Sequence, residues 1–208
     1  MYIKRHMGKP VMALNLQYPL LLITGLRQAG KTTMLKHLID EEGRGRAMVS
    51  MDDLMDREIA KTDPKMFFQI RHPPLLIDEV QYAPELFPYI MIMADTRRQP
   101  GDFWSAGSQL FKMTEGVQKS LAGRVALLRL LPLSQGEMMG CSENSPFSLE
   151  LSALAARQKH CTLLDTSSVF KYIYQGGIPT ASQRCLDQHF LLQLYRHLSG
   201  TGCAPDVQ

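Results

Sequence analysis

Five short apolar runs alternate with longer segments of helical periodicity along the chain. Each run has apolar residues at consecutive positions, which is typical of strands that helices cover on both faces. The segments between the runs place apolar residues three or four positions apart, as amphipathic helices do. This alternation predicts a three-layer α/β fold, with a parallel five-stranded sheet and helices on both faces. The predicted strands are 20–24, 47–51, 74–78, 103–106 and 125–131, and the predicted helices are 32–42, 54–70 with a break at Pro64, and 84–96.

The sequence predicts further segments on either side of this core. Residues 1–17 predict an N-terminal helix or arm, and residues 18–135 the α/β core. Gly, Ser, Asn and Pro become frequent after this point, so residues 136–148 predict a linker. Residues 136–194 predict a partial helical C-terminal segment, with short helices at 148–158, 167–174 and 186–198, and residues 195–208 have no core pattern.

The composition is that of an ordinary globular protein, with 208 residues, 45% hydrophobic residues and a formal net charge of +3. This weak positive charge neither supports nor excludes nucleic-acid binding. No apolar run approaches the roughly 18 residues of a transmembrane helix, and the N-terminus lacks a signal-peptide pattern, so no membrane partner is expected. Four widely spaced cysteines without a CxxC pair suit a reducing compartment, which predicts a cytoplasmic protein: Cys141, Cys161, Cys185 and Cys203.

A glycine-rich loop joins the first predicted strand to the first predicted helix. Residues 25–32 read GLRQAGKT and match the phosphate-binding pattern GxxxxGK[ST], known as Walker A. The glycines let backbone N–H groups approach phosphate oxygens, and the helix directs its positive N-terminus at the same anion. Lys31 is expected to reach the β- and γ-phosphates, and the Thr32 hydroxyl to bind Mg²⁺. Arg27 either contacts phosphate or caps the loop. The predicted nucleotide-binding residues here are Gly25, Leu26, Arg27, Gln28, Ala29, Gly30, Lys31, Thr32 and Thr33.

Two acids follow the third apolar run, in the segment PLLIDE at residues 74–79. They stand at the C-terminal edge of the predicted sheet, where ligands bind in open α/β folds. Asp78 is expected to hold Mg²⁺, and Glu79 to orient and deprotonate an attacking water. The alternative is a strand that ends in acidic residues without a catalytic role.

Three polar residues near the last two predicted strands are further candidates. Ser108 or Gln109 would sense the γ-phosphate and position the water, unless they form only a polar turn. Arg124 would stabilise transition-state charge, in its own subunit or in a neighbour, or would form a surface salt bridge.

Seven segments in order resemble those of bacterial and archaeal AAA-type P-loop ATPases: GLRQAGKTTML, MDD, DP, LLIDEVQYAPEL, AGSQLF, SLAGRV and LPLSQGE. In that family this domain precedes a C-terminal domain of unknown function. The resemblance covers about residues 2–179 and implies ATP as ligand, with the sensor strand between the Walker A and Walker B strands. It supports the roles given above to the loop, the acid pair, Ser108, Gln109 and Arg124. Leu26 and Ala106 stand where the family usually has proline and threonine.

Length is the larger departure from the family pattern. Family members continue for about as many residues again, through a segment resembling YIDTYLERDVR. Codons can be written for residues 195–208 that encode IDTYLERDVRPMF when read one nucleotide later. We therefore expect a truncated member whose last residues are non-native and disordered.

The sequence leaves several functions open. The first is Mg-dependent ATP hydrolysis, and the second is a nucleotide-binding regulatory module without turnover. A homo-oligomer or protein partner could complete the site. DNA association has little support from the charge, and nucleoside kinase activity is disfavoured because no lid with clustered arginines is apparent.

Overall fold

The computed structural model of the chain describes residues 2–108, 123–140, 148–159 and 164–179. Gln109, the predicted helix 186–198, the tail 195–208 and the four cysteines lie outside these residues. The chain divides into two compact units, Met1–Leu131 and Pro132–Gln208.

Five parallel strands form the sheet of the first unit, as the apolar runs predict. Their order is β2–β3–β4–β1–β5, so β4 lies between β3 and β1. This confirms the strand order that the family resemblance implies. The strands are β1 (Leu20–Gly25), β2 (Ala47–Ser50), β3 (Leu75–Asp78), β4 (Phe103–Gly107) and β5 (Val125–Leu130).

Helices connect these strands and cover both faces of the sheet. Asp63 is not helical, and its side chain accepts a hydrogen bond from the backbone N–H of Met66 at 2.9 Å. The predicted break at Pro64 is therefore confirmed, because proline begins the new helix where its missing N–H costs nothing. The helices are α1 (Gly8–Asn15), α2 (Lys31–Glu42), α3 (Leu54–Thr62), α4 (Pro64–Ile70), a 3₁₀ turn (Val80–Tyr82) and α5 (Leu86–Arg97).

Two hydrophobic clusters fill the space between the sheet and the helices. Leu20 and Leu22 of β1 belong to one cluster, and Leu21 and Ile23 belong to the other. All four are buried, which is why the strand reads as a continuous apolar run. Val11 of α1 is fully buried in the second cluster. The N-terminal segment is therefore part of the core unit and does not stand apart from it as an arm.

A buried arginine links α1, α2 and β4 near the N-terminal edge of the sheet. The guanidinium of Arg46 donates to the Glu42 carboxylate at 2.8 Å and to the Gly101 carbonyl at 2.8 Å. It also lies 4.0 Å from the ring centre of Trp104, a cation–π contact. The Trp104 indole N–H donates to the side-chain oxygen of Asn15 at 2.7 Å. The buried Arg46 guanidinium and the Trp104 indole N–H therefore both have polar partners inside the core.

The second unit contains three described helices: α6 (Gln135–Met138), α7 (Leu151–Lys159) and α8 (Thr166–Gln175). The predicted linker 136–148 is wrong at its start, because α6 occupies residues 135–138. Ser134 and Glu137 form a capping box there, with the Ser134 hydroxyl accepting from the Glu137 N–H. Helix α7 begins at Leu151, three residues after its predicted start. Within the described ranges, no helix has the length and apolar character needed to cross a bilayer.

Candidate nucleotide-binding site

The loop between β1 and α2 has the backbone conformation that its glycines allow. Gly25 has φ +146°, and a Cβ there would overlap the carbonyl oxygen of Leu130 in β5. Gly30 has φ +88° at the start of α2, and Gln28 also has a positive φ, of 62°. The sequence therefore needs glycine at position 25 for a close approach to β5, and at position 30 for a left-handed turn.

Lys31 is buried beneath this loop. Its ammonium donates to the carbonyl oxygens of Gly25 at 3.2 Å and Leu26 at 2.9 Å. Burial lowers the pKa of Lys31, and the nearby carboxylates of Glu79 and Asp78 oppose that shift. The lysine of the loop and the two acids of β3 therefore lie close enough to interact, as the predicted site requires.

Thr32 and Asp78 lie in direct contact at the C-terminal edge of the sheet. The Thr32 hydroxyl donates to Asp78 Oδ2 at 2.7 Å, and Asp78 Oδ1 accepts from the Glu79 backbone N–H at 3.1 Å. One hydroxyl and one carboxylate oxygen side by side form a hard donor pair. Mg²⁺ at phosphate sites takes one or two such protein ligands beside phosphate and water, so these residues fit that ion.

Glu79 and Ser108 are joined through a residue that the sequence analysis missed, Gln81. The Gln81 side-chain amide donates to Glu79 Oε2 and, at 3.3 Å, to the Ser108 hydroxyl. Glu79 itself has φ +52°, a left-handed conformation at the start of the 3₁₀ turn. The only signal for Gln81 is its place two residues after the acid pair, on a turn beside the predicted sensor strand.

The sequence analysis also missed Arg5, which braces the loop from the N-terminal segment. Its buried guanidinium donates to the carbonyls of Ala29 at 2.6 Å and Leu131 at 2.5 Å. One contact is to the predicted phosphate loop and the other is to the residue after β5. These partners are far apart in sequence, so no local pattern could reveal the contact.

Arg124 lies at the opposite edge of the sheet from the phosphate loop. It precedes β5, whose first residue, Val125, is in register with Leu20 at the start of β1. The loop follows the other end of β1, about 17–20 Å away for a strand of this length. Arg124 pairs with Asp95 at 3.0 Å. The structure therefore contradicts a role for Arg124 on phosphate in its own subunit.

The other predicted site residues within the described range lie at one edge of the sheet. Helix α2 begins at Lys31 and carries Thr32 and Thr33, β3 ends in Asp78 followed by Glu79, and Ser108 follows β4. Of the remaining loop residues, Ala29 is buried. The side chains of Leu26, Arg27 and Gln28 are exposed.

Comparison with known proteins identifies a family for this arrangement. The AAA domain family matches residues 17–139. The uncharacterized proteins Mb2031c of Mycobacterium bovis and Rv2008c of Mycobacterium tuberculosis are each 33% identical over 116 residues, or 56% of this chain. The match spans only 26% of the length of those relatives.

Two solved structures share the fold. The Walker-type ATPase PABY2304 of Pyrococcus abyssi has a TM-score of 0.55 at 14% identity, over 93% of this chain and 72% of that one. AMPPCP-bound DnaA of Aquifex aeolicus has a TM-score of 0.50 at 16% identity, over 92% and 62%. The family match, which covers more than half of the residues, establishes that the chain belongs to the AAA-type P-loop ATPase family.

Proposed function

We propose that this chain binds Mg-ATP at the edge formed by β1, β3 and β4 and hydrolyses its β–γ bond. The observation that carries the proposal is the contact between Thr32 and Asp78, because it joins the phosphate loop to the acidic end of β3 at 2.7 Å. The start of α2 and the end of β3, which are distant in sequence, thereby offer oxygen ligands at one point. A phosphate-binding loop alone would not require this contact.

The residues of the loop have separate tasks in the proposed reaction. Backbone N–H groups of residues 26–30 and the N-terminus of α2 would hold the phosphates. Lys31 would turn from the Gly25 and Leu26 carbonyls to the phosphate oxygens, and a positive charge there would favour the transition state. Mg²⁺, when bound by Thr32 and Asp78, would neutralise phosphate charge.

Glu79 is the proposed general base. It follows Asp78 directly, and its carboxylate lies near Lys31 and close to Ser108 through Gln81. A water between Glu79 and the γ-phosphate would lose its proton to the carboxylate as it attacks phosphorus. The Ser108 hydroxyl would contact the same phosphate. The choice of ATP is supported by DnaA of similar fold, whose structure contains the ATP analogue AMPPCP.

The test compares the parent chain with Lys31→Ala, Thr32→Val and Glu79→Gln in Mg-ATP binding and phosphate release. We expect Lys31→Ala to abolish binding and Thr32→Val to weaken the Mg²⁺ dependence. Glu79→Gln should bind normally while losing roughly 100-fold or more in turnover, the usual contribution of a general base. Glu85→Gln, an exposed acid outside the site, is the matched control. Parental turnover in Glu79→Gln would refute the proposed base.

A second candidate function is nucleotide binding without turnover by the single chain. The position of Arg124 favours it, because the predicted charge-stabilising arginine lies on the edge opposite the loop. Only a neighbouring subunit could then present Arg124 to the phosphates. Turnover per chain that rises with protein concentration, and falls in Arg124→Ala, would support an oligomeric ATPase. Tight binding with no turnover at any concentration would support the second candidate.

The widely spaced cysteines also support a cytoplasmic location for this proposed activity.

A further inference from the structure

Gln81 has an unusual set of contacts for a residue outside the predicted motifs. Its side-chain nitrogen lies within hydrogen-bonding distance of both the Glu79 carboxylate and the Ser108 hydroxyl. An amide nitrogen carries two hydrogens, so it can donate to both acceptors at once. Gln81 therefore forms a bridge between the proposed base and the proposed phosphate sensor.

The chemistry of the carboxylate fixes the orientation of this amide. An ionised carboxylate only accepts hydrogen bonds, so the nitrogen of Gln81, and not its oxygen, must face Glu79. The amide oxygen then points the other way, where it is buried and has no hydrogen-bond partner among the described residues. A buried amide oxygen without a partner costs free energy. The two hydrogen bonds of the nitrogen offset that cost, so they determine the orientation of the Gln81 side chain.

The neighbouring strand leaves room for this arrangement. A Cβ at Gly107, the last residue of β4, would lie only 2.5 Å from the Gln81 amide oxygen. Glycine at that position thus allows the side chain to reach across from the 3₁₀ turn to the end of β4. Ser108 follows directly, which brings its hydroxyl to the amide nitrogen.

The bridge has consequences for both of its partners. Because the Ser108 oxygen accepts a hydrogen from Gln81, the hydroxyl's own hydrogen is left to donate toward a phosphate oxygen. Because Gln81 donates to Glu79 Oε2, that oxygen has one acceptor position engaged, whereas both positions of Oε1 stay open to a water. One amide thus orients both the proposed base and the proposed sensor.

We propose that Gln81 is a positioning residue that holds Glu79 and Ser108 in the mutual geometry needed for hydrolysis, an inference that rests on the proposed ATPase function. It would act through Glu79 and Ser108 and would not itself contact the nucleotide or the attacking water. Its loss is expected to slow the chemical step and to leave nucleotide affinity nearly unchanged, because the groups that hold the phosphates are elsewhere in the loop.

The kinetic experiment uses the full chain and the variants Gln81→Met, Ser108→Ala and both together. Gln81→Met keeps the length of the side chain and removes its hydrogen bonds. We expect kcat to fall about 10- to 100-fold, the effect of a hydrogen bond to a charged group, while Kd for Mg-ATP changes less than about threefold. The double variant should lose little more kcat than the more impaired of the two single variants, since both substitutions interrupt one bridge. Gln69→Met, on the exposed face of α4, is the matched control.

A spectroscopic experiment tests the bridge without turnover. The side-chain amide signals of Gln81 are assigned in the ¹⁵N-labelled protein by their absence from Gln81→Met. We expect them to shift in Ser108→Ala and in Glu79→Ala. Gln81 amide signals whose chemical shifts stay unchanged in both variants would overturn the proposed bridge.

The outcomes separate this inference from the function on which it rests. Parental kcat in Gln81→Met, beside an inactive Glu79→Gln, would overturn the role of Gln81 and leave the ATPase proposal standing. Equal losses of kcat and affinity would also overturn it, because they would indicate structural damage. A parent chain that binds Mg-ATP and releases no phosphate, like its Glu79→Gln variant, would refute hydrolysis and this inference together.

Discussion

Replacing Gly25 by alanine should damage both stability and nucleotide binding. The added Cβ would overlap the Leu130 carbonyl, and φ at this position is +146°. Forcing a methyl group into a packed position costs typically 1–3 kcal/mol, and holding an L-residue at such a large positive φ, outside the left-handed helical region, costs roughly a further 1–3 kcal/mol. We therefore expect the free energy of unfolding to fall by about 2–6 kcal/mol, as the sum of these two effects. The strain is relieved only if β1 moves away from β5, which also moves the loop.

Gly43→Ala provides the matched control for this substitution. Gly43 has φ +66°, and an added Cβ there meets nothing within 4 Å. The backbone strain remains but the overlap is absent, so about 1–2 kcal/mol is expected, without an effect on binding. Urea unfolding gives the stability of each variant, and titration with a fluorescent Mg-nucleotide gives its affinity. The reasoning is refuted if Gly25→Ala binds nucleotide like the parent and is no less stable than Gly43→Ala.

Two further predictions concern buried charges. Burial lowers the pKa of Lys31 from its ordinary value of 10.5, so between the lowered value and 10.5 the unfolded chain binds more protons than the folded chain. The free energy of unfolding of the parent, relative to that of Lys31→Met, should therefore rise with pH across that window and stay level below it. Denaturant midpoints at several pH values measure this difference. A difference that falls as the pH rises would contradict the prediction. Arg46→Ala should destabilise the fold by about 3 kcal/mol, because the buried Glu42 carboxylate loses its nearest cation and, among the described residues, keeps only the Asn15 amide and Arg44, whose guanidinium is 3.7 Å away. Combining it with Glu42→Gln should recover part of that loss in urea unfolding, and no recovery would argue against the ion pair as the cause.

The strands could be predicted from sequence because a parallel strand between two helical layers is apolar on both faces. Leu20 to Ile23 are all buried, and the run that predicted β1 ends one residue from the observed end of the strand. Register and strand order could not be obtained from such a run. The family resemblance supplied only the place of the sensor strand, between the Walker A and Walker B strands, and the structure confirmed it.

The site was only partly predictable, for a related reason. Lys31, Thr32, Asp78 and Glu79 belong to two short motifs, each visible within a few residues. Gln81, by contrast, matters because of its contact with Ser108, 27 positions away, and that contact depends on β4 lying beside β3. The order of residues along the chain does not indicate which strands lie side by side, so this contact could not be predicted.

The error at the predicted linker has a local cause. Gly136 lies inside α6 and made the segment resemble a flexible connection. The pattern from Ser134 to Glu137 is a capping box and was readable in the sequence. Composition therefore indicates a linker here, whereas the spacing of Ser134 and Glu137 indicates the start of a helix.

Trp104, the chain's single tryptophan, gives the protein a built-in optical reporter. The ring is fully buried in β4, between the strand that ends in the loop and the strand that ends in the acids. Intrinsic tryptophan emission therefore originates in the Met1–Leu131 unit, whereas far-ultraviolet circular dichroism includes the helices of both units. Unfolding curves from the two signals would coincide if the units melt together and separate if they melt in turn.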